Sequence, residues 1–182
     1  MSKLFVDDIV EKTSGHGVII PGHVIQIQQT VFKDTFSTSV GPNFAEITGL
    51  RCNITPASTS NKVLIRVNLS IANQYYSSRG RLLRDGSVIT DATGNQVGSR
   101  TPATFSYINY GGGQTSAIYD MKHISVEYLD SPSTTSAVQY GVDIGGYNTS
   151  FPTYVNRNHN YSDSSTYPAC PISSITLMEI AQ

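Results

Sequence analysis

The chain has no tryptophan, only two cysteines and few charges: Asp, Glu, Lys and Arg together make up 14% of its 182 residues. Each shortage excludes something. The 12 Lys and Arg nearly balance the 13 Asp and Glu, leaving a formal net charge of -1. The densest basic grouping is RGRLLR, Arg79 to Arg84. Nucleic-acid binding needs a basic face that neutralises phosphates, so no nucleic acid is expected as a partner. No apolar run approaches the roughly 18 residues that a membrane span requires, so no membrane insertion is expected. The opening MSKLFVDDIVEKTSG sets Asp7 and Asp8 where a secretory leader is apolar, and no signal peptide is expected. Cys52 and Cys170 fit no metal spacing. Without an export signal they are expected to be two reduced, partly buried thiols rather than a disulfide. The sequons at Asn53, Asn68, Asn148 and Asn160 carry little meaning for the same reason.

What the chain has in quantity is Ser, Thr, Asn, Gly and aromatic side chains, with 11 Tyr and 6 Phe. Ser, Thr and Asn compete for backbone hydrogen bonds and Gly loses entropy in a helix, so the mixture favours strands joined by turns. The length suits one domain with a real core. From His23 the pattern becomes short apolar runs of period two. VIQIQQTVF predicts a half-buried strand with Ile25 and Ile27 opposite Val24, Gln26 and Gln28. FAEITGLRCNITP follows, with Ile47, Cys52 and Ile54 among polar residues. KVLIRVNLSIAN carries Val63, Ile65, Val67, Leu69 and Ile71 on one face, and MKHISVEYLD, AVQYGVDIGG and SSITLMEIA read as further strands. Asp85-Gly86 predicts a type I′ hairpin turn between Leu82-Leu83 and Val88-Ile89. Residues 91–114 and 145–171 are too polar to supply core and are expected to be surface loops. Short strands with frequent turn signals predict an all-β fold, an antiparallel two-sheet β-sandwich of jelly-roll type over residues 23–182. Residues 1–22 are expected to stand apart from this head as a segment ending in a joint, since Gly15, Gly17 and Gly22 permit turns and Pro21 blocks ladder pairing.

Five motifs in order touch most of the chain outside the two polar regions: KLFVDDIVEKTSGHGVIIPGHVIQ, ITGLRCNITPASTSNKVLIRV, RLLRDGSVI, YLDSPSTTSAVQYGV and ITLMEIAQ. The series resembles small, strand-rich modules of marine bacteriophage virion proteins, found at the ends of tail fibres and on heads. The resemblance implies a structural protein of the virion, assembled in the host cytoplasm as a homotrimer with other virion proteins, capsid or fibre adaptor, as partners. In such fibre proteins a segment similar to VDDIVEKTSGHGV commonly sits at the end of a trimeric stalk. Here Met1 opens directly on that segment, which leads to the expectation of a short appendage, a head decoration or fibre tip, rather than a full fibre. Leu4, Phe5, Val6, Ile9 and Val10 are the candidate virion-anchoring residues; a strand swapped onto its own trimer would use them equally well. The residues themselves lend the trimer some support. Leu64 lies on an otherwise polar strand face, and apolar residues on both faces of a strand ask for a partner.

Little points to catalysis or metal binding. His16 and His23 are seven apart, which is no common zinc spacing, His123 is mid-strand and His159 lies in a polar stretch. A threefold axis could gather one His from each chain, but a hydrogen-bonded His is the commoner case. No G-x-S-x-G occurs, GGG at Gly111 to Gly113 lacks the Lys and helix of a phosphate loop, and neither cysteine has a catalytic-thiol signature. Carboxylate pairs such as Asp120 with Glu127 or Asp143 with Asp163 arise by chance among 13 acids. No enzyme activity, cofactor or metal is therefore expected. The strongest candidate site is the set of aromatic-polar loops: Tyr75, Tyr76 and Arg79; Tyr107 and Tyr110; and Tyr147, Tyr154, Arg157, His159 and Tyr161. Aromatic faces meet the C–H faces of sugars while Asn, Asp and Arg read hydroxyls, which makes host-surface polysaccharide the alternative partner and a receptor-binding module the alternative function. The plainer reading is that these tyrosines cover sheet ends or pack on a neighbouring subunit.

Overall fold

The alternation in KVLIRVNLSIAN builds β5 (Lys62–Asn73), a twelve-residue strand whose odd-numbered apolar side chains all point one way. In the computed structural model, which describes residues 20–73, 75–109, 118–163 and 169–182, Val63, Ile65, Val67, Leu69 and Ile71 are fully buried. β5 is flanked by β12 (Ser173–Ile180) and β9 (Lys122–Asp130), both antiparallel to it, and β1 (Val24–Phe32) adds beyond β12. Where β12 stops, the last residues of β5 pair instead with β11 (Thr153–Val155), which pairs in turn with β2 (Phe36–Thr38). In the second sheet, β3 (Ala45–Glu46) and β4 (Cys52–Ile54) share one edge of β10 (Val138–Gly145), and β6 (Tyr76–Arg84) takes the other. β7 (Ser87–Val88) and β8 (Phe105–Asn109) continue beyond β6. The chain is all-β with two antiparallel sheets.

Both sheets supply one apolar core. Ile65, Leu69, Ile175 and Leu177 from the first meet Ile54, Leu82, Val142 and Ile144 from the second. Each such side chain contributes about 1.5–3 kcal/mol by leaving water. Polar ties close the end where β5 begins. The Tyr140 hydroxyl donates to Asp130 Oδ2 at 2.7 Å, and Arg84 Nη1 donates to the same oxygen at 2.8 Å, joining β10 and β6 to β9 across the two sheets. Burial, with Asp130 beside it, pushes the Tyr140 phenol far above its ordinary range, so it remains a donor. Glu179, fully buried at the end of β12, accepts from Ala57 N at 2.7 Å, Asn61 Nδ2 at 2.6 Å and Gln26 Nε2. No cation is among these partners: three donors satisfy the carboxylate.

The hairpin turn forms as its residues dictate, with Asp85 at φ 50 and Gly86 at φ 75. Four expectations need revision. FAEITGLRCNITP is not one strand but two short ones, separated by a turn in which Leu50 N bonds Ile47 O. The polar regions are not wholly loops, because β8 inserts Phe105 and β11 inserts Val155 into the core. Their strands are three to five residues long, too short for period-two patterning to register. In β1 a bulge between Val24 and Gln26 shifts the alternation, turning Gln26 toward Glu179 and Ile27 away from the core at 57% exposure. The cysteines are unpaired, with Cys52 buried and Cys170 exposed, so only one of them is a core thiol.

Candidate functional site

The direction of β5 separates two poles of the molecule. Its first residue, Lys62, pairs with Ile180, and the next residue of that strand's extension, Ala181, exchanges hydrogen bonds with Gly22 and His23 (2.8 and 2.9 Å). The segment from Ile20 thus joins the domain at the Lys62 pole, with Gly22 at φ 86 making the bend. Asn73 lies at the other pole, about 36 Å away for eleven extended steps. Leu4, Phe5, Val6, Ile9 and Val10 lie outside the described residues.

At the Asn73 pole a buried polar cluster shapes the connection from β5 to β6. Asn73 Nδ2 donates to Ser78 Oγ (2.7 Å) and to the Tyr76 carbonyl (3.2 Å). Ser78 Oγ meets Thr153 Oγ1 at 3.1 Å, and Asn109 Nδ2 donates to the Asn73 carbonyl at 3.0 Å. Within this frame Tyr76 is held at φ 63, a left-handed conformation that a bulky residue rarely adopts. Its ring is thereby turned onto Tyr147, stacked at 4.2 Å between centroids with 29° between planes. Phe151 meets Tyr76 edge-on at 5.6 Å and Tyr75 at 5.2 Å. The loop bearing Tyr147 is fastened from below. Gly146 N bonds Gly41 O at 2.9 Å, and Gly41, at φ 62, lies so close that an added Cβ would stand 3.1 Å from the Asn148 backbone. Tyr76 and Tyr147 remain 37% and 51% exposed. The result is an aromatic platform with phenolic hydroxyls, fixed by buried hydrogen bonds.

A second group lies on the loop after β11. The Arg157 guanidinium lies over two phenol rings, 4.7 Å from the centroid of Tyr154 and 4.5 Å from that of Tyr161. The Tyr154 hydroxyl and His159 Nδ1 are 2.9 Å apart. Partial burial and the nearby Arg157 charge lower the His159 pKa, so the ring is neutral at pH 7. Asn156, at φ 57, roots the loop by donating to the carbonyls of Phe32 (2.8 Å) and Asp34 (2.9 Å) and accepting from Ser173 Oγ (2.7 Å).

The structure therefore brings together Tyr75, Tyr76 and Tyr147 in one group, and Tyr154, Arg157, His159 and Tyr161 in another. Two expected members are elsewhere. Arg79 lies within β6, its Nη2 bonded to the Pro42 carbonyl (2.9 Å) and its guanidinium 5.5 Å from the Phe44 ring. Tyr107 packs against the core with its hydroxyl buried, so it is no loop contact; burial raises its pKa. Tyr110 lies outside the described residues. Phe151 and Asn73 were missed: Phe151 stands in the tract SFPTY, which reads as loop, and Asn73 acts only through a fold the sequence does not display. The suspected carboxylate pairs are separately occupied, Asp143 by a bidentate Arg81, Glu127 by Arg66 and Asp120 by Lys122 at 3.5 Å. Among the described residues no group of three or more His, Cys, Asp or Glu could hold a metal ion, and no helix is long and apolar enough to cross a membrane. Compared with known proteins, the chain matches no protein family and no curated protein.

Proposed function

We propose that the chain is a non-enzymatic structural protein of a bacteriophage virion, a homotrimeric surface appendage, head decoration or fibre tip, anchored through residues 1–22. The observation that carries this reading is the separation of the poles. The attachment segment reaches the domain beside Ala181, and the exposed aromatic loops occupy the opposite end. An appendage needs that polarity: one end grips the particle, through Leu4, Phe5, Val6, Ile9 and Val10, and the other faces outward. The sheet orders β1-β12-β5-β9 and β4-β10-β6-β8, with β5 and β6 consecutive in sequence but in different sheets, support a jelly-roll form of the sandwich. Removing residues 1–22 tests the anchor. The truncated chain is expected to keep its fold and oligomeric mass and to be lost from purified particles, where electron microscopy of the full chain shows the appendage. Retention of the truncated chain on particles would refute the anchor.

A second reading, recognition of host-surface polysaccharide, is favoured by one observation: Tyr76 holds a strained backbone conformation that presents its ring to Tyr147 at the exposed end. Trimeric display would raise the strength of weak sites by roughly 10² to 10⁴. On a glycan array, wild-type protein is expected to bind and Tyr147→Ala to lose the signal; absence of any wild-type signal counts against this reading.

A further inference from the structure

The register of the first sheet places four apolar side chains side by side on the face turned away from the core. Ile27 is opposite Met178, Met178 opposite Leu64, and Leu64 opposite Leu129, so one row crosses β1, β12, β5 and β9. Its end members are the most open, Ile27 at 57% and Leu129 at 44% exposure. On one side lies a polar row, Gln29, Thr176, Arg66 and Glu127, which satisfies itself: Gln29 Nε2 donates to Thr176 Oγ1 at 2.8 Å, and Arg66 pairs with Glu127. On the other side stand Val24, Ile180 and Lys62.

We propose that this face joins copies of the chain, its apolar row closing onto the rows of two neighbours around a threefold axis parallel to the strands. The inference rests on the trimeric reading above and assigns the surface that makes the trimer. Three features specify a second copy as the occupant. The row runs across the strands, so an axis along the strands sets every copy's row at one height, where they form an apolar ring. The most exposed members sit at opposite edges of the sheet, as a head-to-tail contact requires, with Ile27 of one copy meeting Leu129 of the next. The face is electrically neutral at its centre, because Arg66 and Glu127 cancel, and so it does not repel its own image. Four strands about 4.8 Å apart and nine residues long span about 570 Å² in projection; shared between two neighbours this is below the roughly 800 Å² per partner of a standard interface, so each pairwise contact is a small one.

The test uses the full chain carrying Ile27→Cys and Leu129→Cys in a Cys170→Ser background. Within one copy these positions are three strand spacings apart, about 14 Å, beyond the roughly 7 Å that a disulfide can bridge. Any bond between them therefore joins two copies. Mild oxidation is expected to give a ladder that ends at three times 19.7 kDa on non-reducing gels, while the chain with Cys170→Ser alone gives none. A ladder ending at two copies, or none at all from a chain that sediments as a trimer, would overturn the proposed face while leaving the trimer standing. A wild-type chain that sediments at 19.7 kDa at high micromolar concentration would overturn the trimer and the face together. As a second variant, Ile27→Glu with Leu129→Glu is expected to reduce the sedimenting mass to one third with an unchanged far-ultraviolet spectrum. Persistence of the full mass would refute the proposal.

Discussion

The left-handed backbone of Tyr76 can be weighed by two substitutions at one position. At φ 63 an L-residue carries about 1–2 kcal/mol of steric strain, and glycine carries none. Replacing Tyr76 by Gly or by Ala removes the same ring, so the lost contacts with Tyr147, Phe151 and Tyr75 cancel in the comparison. What remains is the strain that Ala keeps and Gly sheds, offset by glycine's larger loss of chain entropy, about 0.5–1 kcal/mol. Tyr76→Gly is therefore expected to be more stable than Tyr76→Ala by about 0.5–1 kcal/mol, or roughly 1–4 °C in Tm for a chain of this size. Ser77, one residue further into β6, serves as the control. At an ordinary strand position the order reverses, and Ser77→Ala should exceed Ser77→Gly by a similar margin. The assay is thermal unfolding followed by circular dichroism, with all variants at one protein concentration because association shifts Tm. If Tyr76→Ala equals or exceeds Tyr76→Gly, the Asn73–Ser78–Thr153 cluster does not impose the conformation, and the argument that strain presents this ring fails.

Two further perturbations probe other parts of the structure. Glu179→Gln turns one of three satisfied acceptor positions into a donor facing Gln26, Ala57 and Asn61. It should lower stability by about 2–3 kcal/mol in urea unfolding, and a loss under 0.5 kcal/mol would show that donors alone do not hold this carboxylate. His159 has a pKa below 6.5 in the folded chain, so the unfolded chain binds more protons as pH falls through 6.5 toward the folded value. Its contribution is fully present above pH 6.5 and is lost below. Wild-type stability should fall more than that of His159→Gln between pH 7.5 and 5, and parallel profiles would refute the assignment.

Period-two alternation was enough to identify β5, β9, β10 and β12, because each buries one face against a continuous core and places its apolar residues accordingly. It failed where a strand's contribution is one side chain. Phe105 and Val155 are held in place by ladders with β6 and β5, and a tract such as PTYVN contains nothing that distinguishes such pairing from a loop. Tyrosine density pointed to the stretches that hold both aromatic groups but could not partition them. Tyr107 belongs to the same polar region by composition, yet it lies opposite Ser78 in β8 and turns toward the core. The strain at Tyr76 was invisible, because it arises from Asn73, Ser78 and Thr153, which converge from three strands.

Ile27 shows how a small local event changes the reading of a whole surface. With unbroken alternation it would share the core face with Ile25, and the outer face of β1 would be polar. The bulge at Val24 to Gln26 displaces the register, sending Gln26 to the buried Glu179 and Ile27 to the outside, beside Met178. The third donor to the carboxylate and the exposed end of the apolar row are thus fixed by one register. The bulge lets Val24 and Ile27, three residues apart, share the outer face. Deleting Ile25 would restore simple alternation and leave Val24 opposite Ile180, Gln26 opposite Glu179 and Ile27 opposite Met178, so the third donor and the apolar row both persist. A chain with Ile25 deleted should accordingly keep its trimeric mass, and loss of that mass would show that this register does not hold the row in place. Glu179→Gln, which disturbs only the carboxylate, should lower stability while the folded chain keeps its trimeric mass.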